Sequence, residues 1–214
     1  MKTTKTTRML SDVKRALSER GFIPVSPEMY EKAVDLFTEY YATDPCMLWF
    51  GNGVYNPKIT SSLLRSIIKE AVNSALVYTD GPQMNAICIW YPPGFSGIKP
   101  FPHMMNFVFE IFKIGGLRLI FKFIHYESFV MNLRKKLTSF NDWYLCFFAK
   151  NSDDMELTKK MIKPIVDYCW DNEIVCYVEA ASAKKADDYK QLGFQIKDYV
   201  FLPESEVTHY VLMI

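Results

Sequence analysis

The sequence predicts an α+β fold, and three observations carry that expectation. Asp142 to Ala149 reads as a strand that is apolar on both faces. Trp143, Leu145 and Phe147 lie on one side and Tyr144, Cys146 and Phe148 on the other, which suits a central position in a sheet. Ala75–Tyr78 and Met84–Tyr91 are apolar runs joined by Thr79-Asp80-Gly81-Pro82, a hairpin signal. Stretches with apolar residues at helical spacing separate the strands, as at Leu63, Leu64, Ile67, Ile68 and Ala71.

The elements follow in order. Residues 1–20 are rich in Lys, Thr and Arg and lack the apolar run of a secretory signal. They read as a disordered arm or as a short amphipathic helix on Leu10, Val13, Ala16 and Leu17. Residues 21–214 read as a single domain. Gly21–Val25 is a strand whose Pro24 sets it near an edge. Ser26-Pro27 starts a helix, the serine as cap, with Tyr30, Ala33, Val34 and Phe37 as its apolar stripe. Thr43-Asp44-Pro45 ends it or opens another turn, Gly51-Asn52-Gly53 is a loop, and a further helix runs from Thr60. After the hairpin, Pro92-Pro93-Gly94 stops the strand and a Gly/Pro-rich loop runs to Pro102.

Residues 103–137 form a strongly aromatic insertion broken by Gly115-Gly116, so two helices are expected. Lys113, Arg118 and Lys122 interrupt it, which speaks against a membrane span. A lid, a packing pair and a membrane-surface helix all remain open. Beyond the central strand, Asn151-Ser152-Asp153-Asp154 caps a helix that buries Met161, Ile162, Ile165, Val166 and Cys169. Pro164 should kink it, because the Lys160 carbonyl loses its donor. Glu173–Glu179 is a strand, Ala183–Gln191 a helix that Gly193 ends, and Phe194–Leu202 and Val207–Met213 are the last strands.

The chain has 214 residues, half of them hydrophobic and 15% aromatic, enough for a substantial core. A net charge of +1 gives no field that would mark nucleic acid as a partner. Five cysteines without a CxxC spacing read as reduced, buried hydrophobes in a cytoplasmic protein. No His/Cys/Asp/Glu set has metal-ligand spacing.

Ala42-Thr43-Asp44-Pro45, Trp90-Tyr91-Pro92-Pro93-Gly94, Trp143-Tyr144-Leu145, Cys176-Tyr177-Val178-Glu179 and Tyr189-Lys190-Gln191-Leu192-Gly193-Phe194 occur in an order and spacing similar to those of the GNAT (GCN5-related) N-acetyltransferases. The resemblance runs from about Phe22 to Met213. It implies a central mixed, mostly antiparallel sheet flanked by helices. It also implies transfer of acetyl from acetyl-CoA to a small amine or peptide amine, with the coenzyme entering between the fourth and fifth strands.

Carried over residue by residue, the resemblance assigns the backbone of Phe147, Phe148 and Ala149 to the pantetheine amides. Loop residues such as Ser152 and Asp153, at a helix start, would face the pyrophosphate, because unsatisfied N–H groups and the helix dipole favour an anion. Ser182 and Lys185 stand where the family has asparagines. Tyr189 matches the phenol that protonates the departing thiolate. One departure is plain. The family loop is glycine-rich, whereas this one, Lys150 to Lys160, has no glycine and carries Asp153, Asp154 and Glu156. Lys159 and Lys160 could compensate, or simply be a solvated helix face. The amine also needs a base, for which Glu179 is one candidate. His125 and Glu127 in the insertion are others, while His103 and His209 are weaker. The loop leaves a second function open, a degenerate, non-catalytic GNAT domain serving as a binding module. The aromatic insertion would also suit a homodimer interface.

Overall fold

The computed structural model describes residues 2–94, 102–139 and 141–214. The Gly/Pro-rich loop at 95–101 and the side chain of His103 lie outside the described set. The N-terminal segment is helical: α1 spans Lys2–Glu19 and buries Met9, Val13 and Leu17, one every four residues. After the short strand β1 (Ile23–Pro24) and a single 3₁₀ turn come α2 (Tyr30–Tyr40), α3 (Pro45–Phe50) and α4 (Pro57–Ser74). Ser26 makes no side-chain capping bond, whereas Asp44 and Asn56 cap α3 and α4. The hairpin is β2 (Leu76–Thr79) and β3 (Ala86–Tyr91).

The insertion is α5 (Pro102–Leu137), two helical pieces that meet at Gly116, whose φ of 62° breaks the helical path. β4 (Trp143–Lys150), α6 (Met155–Asp171), β5 (Cys176–Ala180), α7 (Ala183–Lys190), β6 (Gln195–Leu202) and β7 (Val207–Met213) complete the chain. Helix α6 runs from end to end through Pro164. Gly193 turns the chain out of α7 at φ 97°, and a Cβ there would lie 2.9 Å from the Ile214 side chain.

All seven strands form one sheet in the order β1-β2-β3-β4-β5-β7-β6. Among the described residues only the β4–β5 pair is parallel; the other neighbours are antiparallel. The sheet is therefore mixed and mostly antiparallel, with β4 central and Pro24 on an edge strand. Two apolar layers cover it. One holds α1, α6 and α7 against Trp90, Trp143, Leu145, Phe148 and Val178. The other holds α2 and α4 against Ile87, Ile89, Tyr91 and Tyr144. A third cluster joins α3 and α5 through Phe50, Ile111 and Phe123, with the Phe50 and Phe123 rings stacked at 4.0 Å. Each fully buried Ile, Leu or Phe contributes about 1.5–3 kcal/mol, well above any single helix-propensity term, so the apolar stripes fix how these helices dock.

One polar bond ties helix to sheet inside the first layer. The buried Tyr78 hydroxyl donates to the Met161 carbonyl at 2.5 Å, one turn before Pro164. Replacing Tyr78 with Phe leaves the ring and removes this bond together with the hydroxyl's contacts to Cys88 and Trp90. The expected cost is about 1–2 kcal/mol in urea denaturation, with the m value unchanged.

Candidate functional site

A wedge in the sheet defines the site. β4 and β5 pair at only three positions, Trp143–Cys176, Tyr144–Tyr177 and Leu145–Val178. Beyond Leu145, β4 continues along β3 alone, while Glu179 and Ala180 of β5 continue along β7 alone. A bulge marks the point of parting: Ile89 faces Phe147 and Trp90 faces Leu145, so Cys146 has no opposite residue on β3. A bulge turns the strand and leaves backbone groups outside the ladder. The edge Cys146–Lys150 thus faces the wedge without a strand partner on that side, as a pairing site for an extended ligand requires.

The wedge is furnished by two corners of the chain. Tyr41, just after α2, donates its hydroxyl to the Phe148 carbonyl at 3.3 Å and sets its ring against Phe147. Tyr40 packs edge-on to Phe148. From the other side, Lys185 on α7 places its ammonium 4.1 Å from the Tyr41 ring and 2.9 Å from the Asp44 carboxylate. Asp44 is buried and also caps α3. This ion pair ties the α2–α3 corner to α7 across the mouth of the wedge. Ser182, one of the residues set in place of a family asparagine, caps α7 by accepting from the Lys185 N–H at 3.3 Å.

Tyr189 lies on α7 with 9% of its surface exposed, edge-on to Phe194. Burial holds its phenol well above the usual range, and Tyr40 and the Asp188 and Asp44 carboxylates act in the same direction. It is therefore a neutral hydrogen-bond donor throughout the physiological range. It sits in the apolar layer with Phe148 and Ala186, against which Tyr40 also packs.

The start of α6 differs from an anion cradle. Asp154 caps it, its carboxylate accepting from the Glu156 N–H at 2.9 Å, so the chain supplies its own negative charge to the helix dipole. Lys150 donates to the Asp154 carbonyl at 2.9 Å, and Lys159 pairs with Glu156 at 2.7 Å on the surface. Lys160 lies 5.7 Å from the Phe22 ring. Ser152 and Asp153 are exposed in the loop. The residues present fit the pantetheine arm of coenzyme A, which needs only the free edge of β4. They do not fit its pyrophosphate, which would meet Asp153, Asp154 and Glu156 at the helix start.

Beside the apex of the wedge lies a buried polar cluster. Glu179 is gripped in bidentate fashion by Arg134 of α5, with the Nη2–Oε2 bond at 2.6 Å, and accepts from the Tyr144 hydroxyl at 3.0 Å. Burial opposes ionisation of its carboxyl, but Arg134 outweighs it and, with His209, holds the group far below the usual carboxylate range. His209 Nε2 is 3.6 Å from Glu179 Oε2 and has no hydrogen-bond partner among the described residues. Its Nδ1 meets the Tyr126 hydroxyl at 3.1 Å, and the Cys46 thiol lies 3.1 Å from the same oxygen. The Glu127 carboxyl is pushed up by burial and by Glu179, against the pull of Arg134. His125 stands apart: it is exposed and pairs at 3.6 Å with Glu204 of the β6–β7 turn, on the rim of an open cleft of about 900 Å³. Arg134, Tyr144 and Tyr126 are the members of the cluster that sequence reasoning missed. Arg134 carried a signal, as a cation in an apolar insertion that needs a buried partner.

No protein-family model matches the sequence, and no curated protein matches it. Solved structures do. The chain superposes on an acetyltransferase of Corynebacterium glutamicum described as histone acetyltransferase HPA2 and related acetyltransferase, with a TM-score of 0.54 and 16% identity over 90% of this chain and 93% of that one. Arylalkylamine N-acetyltransferase 2 of Aedes aegypti gives 0.57 and 13% over 90% and 97%. The polyamine N-acetyltransferase of Drosophila melanogaster gives 0.54 and 10% over 90% and 98%. At such identities the likeness speaks for architecture: the chain has the fold of the GNAT acetyltransferases.

Proposed function

We propose that this chain is an N-acyltransferase that moves an acetyl group from acetyl-CoA to a small amine or a peptide amine by direct attack in a ternary complex. The observation that carries the reading is the wedge between β4 and β5, with a bulge at its apex and a neutral buried phenol beside it. The names of the arylalkylamine and polyamine acetyltransferases among the similar structures make small amines the acceptors to try first. A cytoplasmic location suits five free thiols.

The thioester supplies an activated acyl carbon and a thiol leaving group; the chain's residues do the rest. The free edge at Phe147, Phe148 and Ala149 pairs with the pantetheine amides, with Tyr41 giving up its bond to the Phe148 carbonyl. Backbone N–H groups near Cys146 face the carbonyl oxygen where charge develops. The amine attacks as the C–N bond forms and the C–S bond breaks, and the Tyr189 hydroxyl donates to the sulfur. Ser182 and Lys185 act indirectly: the serine caps α7 and the lysine ties that helix to Asp44, which holds α7 beside the arm. The base for the amine proton lies in the cluster of Glu179 with Glu127 and His209, where the His209 Nε2, 3.6 Å from Glu179 Oε2 and without a hydrogen-bond partner among the described residues, is the open acceptor position. His125 serves at the acceptor entrance.

Transfer of radiolabelled acetyl from acetyl-CoA to a panel of arylalkylamines and polyamines tests the reading. Lack of transfer from every thioester would leave the non-catalytic binding module in its place. Tyr189→Phe should lower kcat about 10²-fold with little change in KM for the donor. The self-capped α6 sets a second expectation. A helix that grips a pyrophosphate with two charge-assisted bonds contributes about 3–6 kcal/mol, or about 10²–10⁴-fold in kcat/KM. Here acetyl-pantetheine should match acetyl-CoA to within about tenfold; a gap of about a thousandfold would restore a phosphate grip.

The Arg134–Glu179 pair predicts a pH dependence of stability. Its carboxyl is more acidic folded than unfolded, so the stabilisation is present above the unfolded value near ~4.3 and is lost as pH falls through the folded one. Glu179→Gln should cost about 3 kcal/mol at pH 7 by leaving Arg134 unpaired. Its stability should also fall less steeply than that of the wild type below about pH 5, as read by urea denaturation.

A further inference from the structure

Helix α5 has two apolar faces, and the described residues cover only one. Leu119, Phe123, Val130 and Leu133 point inward and are buried. Leu117, Phe121, Ile124 and Met131 form a second stripe at spacings of four, three and seven residues. These four are exposed by 61%, 64%, 59% and 41%. On the preceding piece, Phe109 and Phe112 are exposed by 59% and 49%. A soluble helix ordinarily presents charged and polar residues on the side away from the core. Here exposed aromatic and aliphatic residues occur on both pieces, before and after the Gly116 break.

The charges around the stripe select its partner. Six basic and two acidic residues lie within 107–137, and neither acid, Glu110 or Glu127, is exposed. Lys113, Arg118, Lys135 and Lys136 are all exposed. The Lys113 ammonium lies 4.2 Å from the centre of the Phe109 ring, the posture of a lysine whose stem lies on apolar surface while its head stays in water. Chain-wide net charge is +1, and residues 1–20 carry a like excess of six basic over two acidic residues. Among the described residues no helix is long and apolar enough to cross a membrane, which limits contact to the surface.

We infer that the outer face of α5 docks on an anionic lipid surface, with Phe112, Leu117, Phe121 and Ile124 entering the acyl boundary and Lys113 and Arg118 meeting phosphate headgroups. Exposed aromatics and aliphatics bordered by Lys and Arg are the features that hold an amphipathic helix in a bilayer interface. Anionic lipids add attraction for each basic residue near the surface. A second copy of the chain fits less well. A two-fold interface would set the same patch against itself and bring Lys113 and Arg118 toward their own copies, where the nearby exposed carboxylate, Glu204, already pairs with His125 at 3.6 Å.

Co-sedimentation of the full chain with large unilamellar vesicles tests this without any substrate, so its outcome is independent of the acyltransferase reading. Two compositions serve as probes, phosphatidylcholine alone and phosphatidylcholine with about one third phosphatidylserine. The chain should bind the second at least about tenfold more strongly, and raising salt from about 0.1 to 0.5 M should remove most of that preference. The pair Phe121→Asp and Ile124→Asp should reduce binding at least about tenfold while far-UV circular dichroism stays unchanged, since both side chains face solvent. Arg118→Glu, at an exposed polar position, should weaken binding to the anionic vesicles alone. Three results would overturn the proposal. They are no co-sedimentation with either composition, equal binding by the aspartate variant, or a micromolar wild-type dimer by light scattering that Phe121→Asp converts to monomer.

Discussion

Two parallel strands that keep company for three residues and then separate organise the rest of this molecule. Had β4 and β5 paired along their full length, the edge of β4 beyond Leu145 would be saturated and the middle of the sheet would offer nothing to a ligand. Parting them exposes backbone donors and acceptors that must find partners elsewhere. The structure answers with a bulge at Cys146, which re-aims β4, and with the Tyr41 hydroxyl, which satisfies the Phe148 carbonyl. The Asp44–Lys185 ion pair then fixes the α2–α3 corner to α7, so that the separated strands are bridged by side chains rather than by a ladder.

The same parting explains the polar cluster. Glu179 is the first residue of β5 past the last paired position, and its side chain enters a region walled by Tyr144, Tyr126 and His209. A buried carboxylate there is tolerable only with a close cation, and Arg134 provides it from the insertion. The insertion is thus tied to the sheet by charge on its inner side, while its outer side is left apolar. One helical insertion serves two environments, and its two pieces meet at Gly116.

Much of this could be read from residue pattern. The double-faced apolar run at 142–149 located the central strand, the Asp-Gly-Pro signal located the hairpin, and Gly115-Gly116 located the break in the insertion. The glycine-free loop was also legible, and its acidic residues do what short acidic side chains do at a helix start: Asp154 caps α6. Other features were not. The first twenty residues fitted an arm as well as a helix, because periodicity over so short a stretch is weak; contact with α6 holds α1 in place. Lys185 was expected to face a ligand, but a buried Asp44, 141 positions away in sequence, binds its ammonium. His125 and His209 were ranked by position alone, whereas burial orders them the other way. His209 is 4% exposed beside Glu179, and His125 is on the surface.

The residue order by itself determined most of the elements and the chemical character of each face, since helix and strand periods and turn residues are local properties. It also determined that the loop before α6 would be acidic and free of glycine. Only the tertiary structure decided where β4 and β5 part, which cation neutralises Glu179 and which face of α5 stays uncovered. These depend on strand register and on partners far apart in sequence. A one-residue slip in register leaves local patterns intact but turns every side chain to the other face.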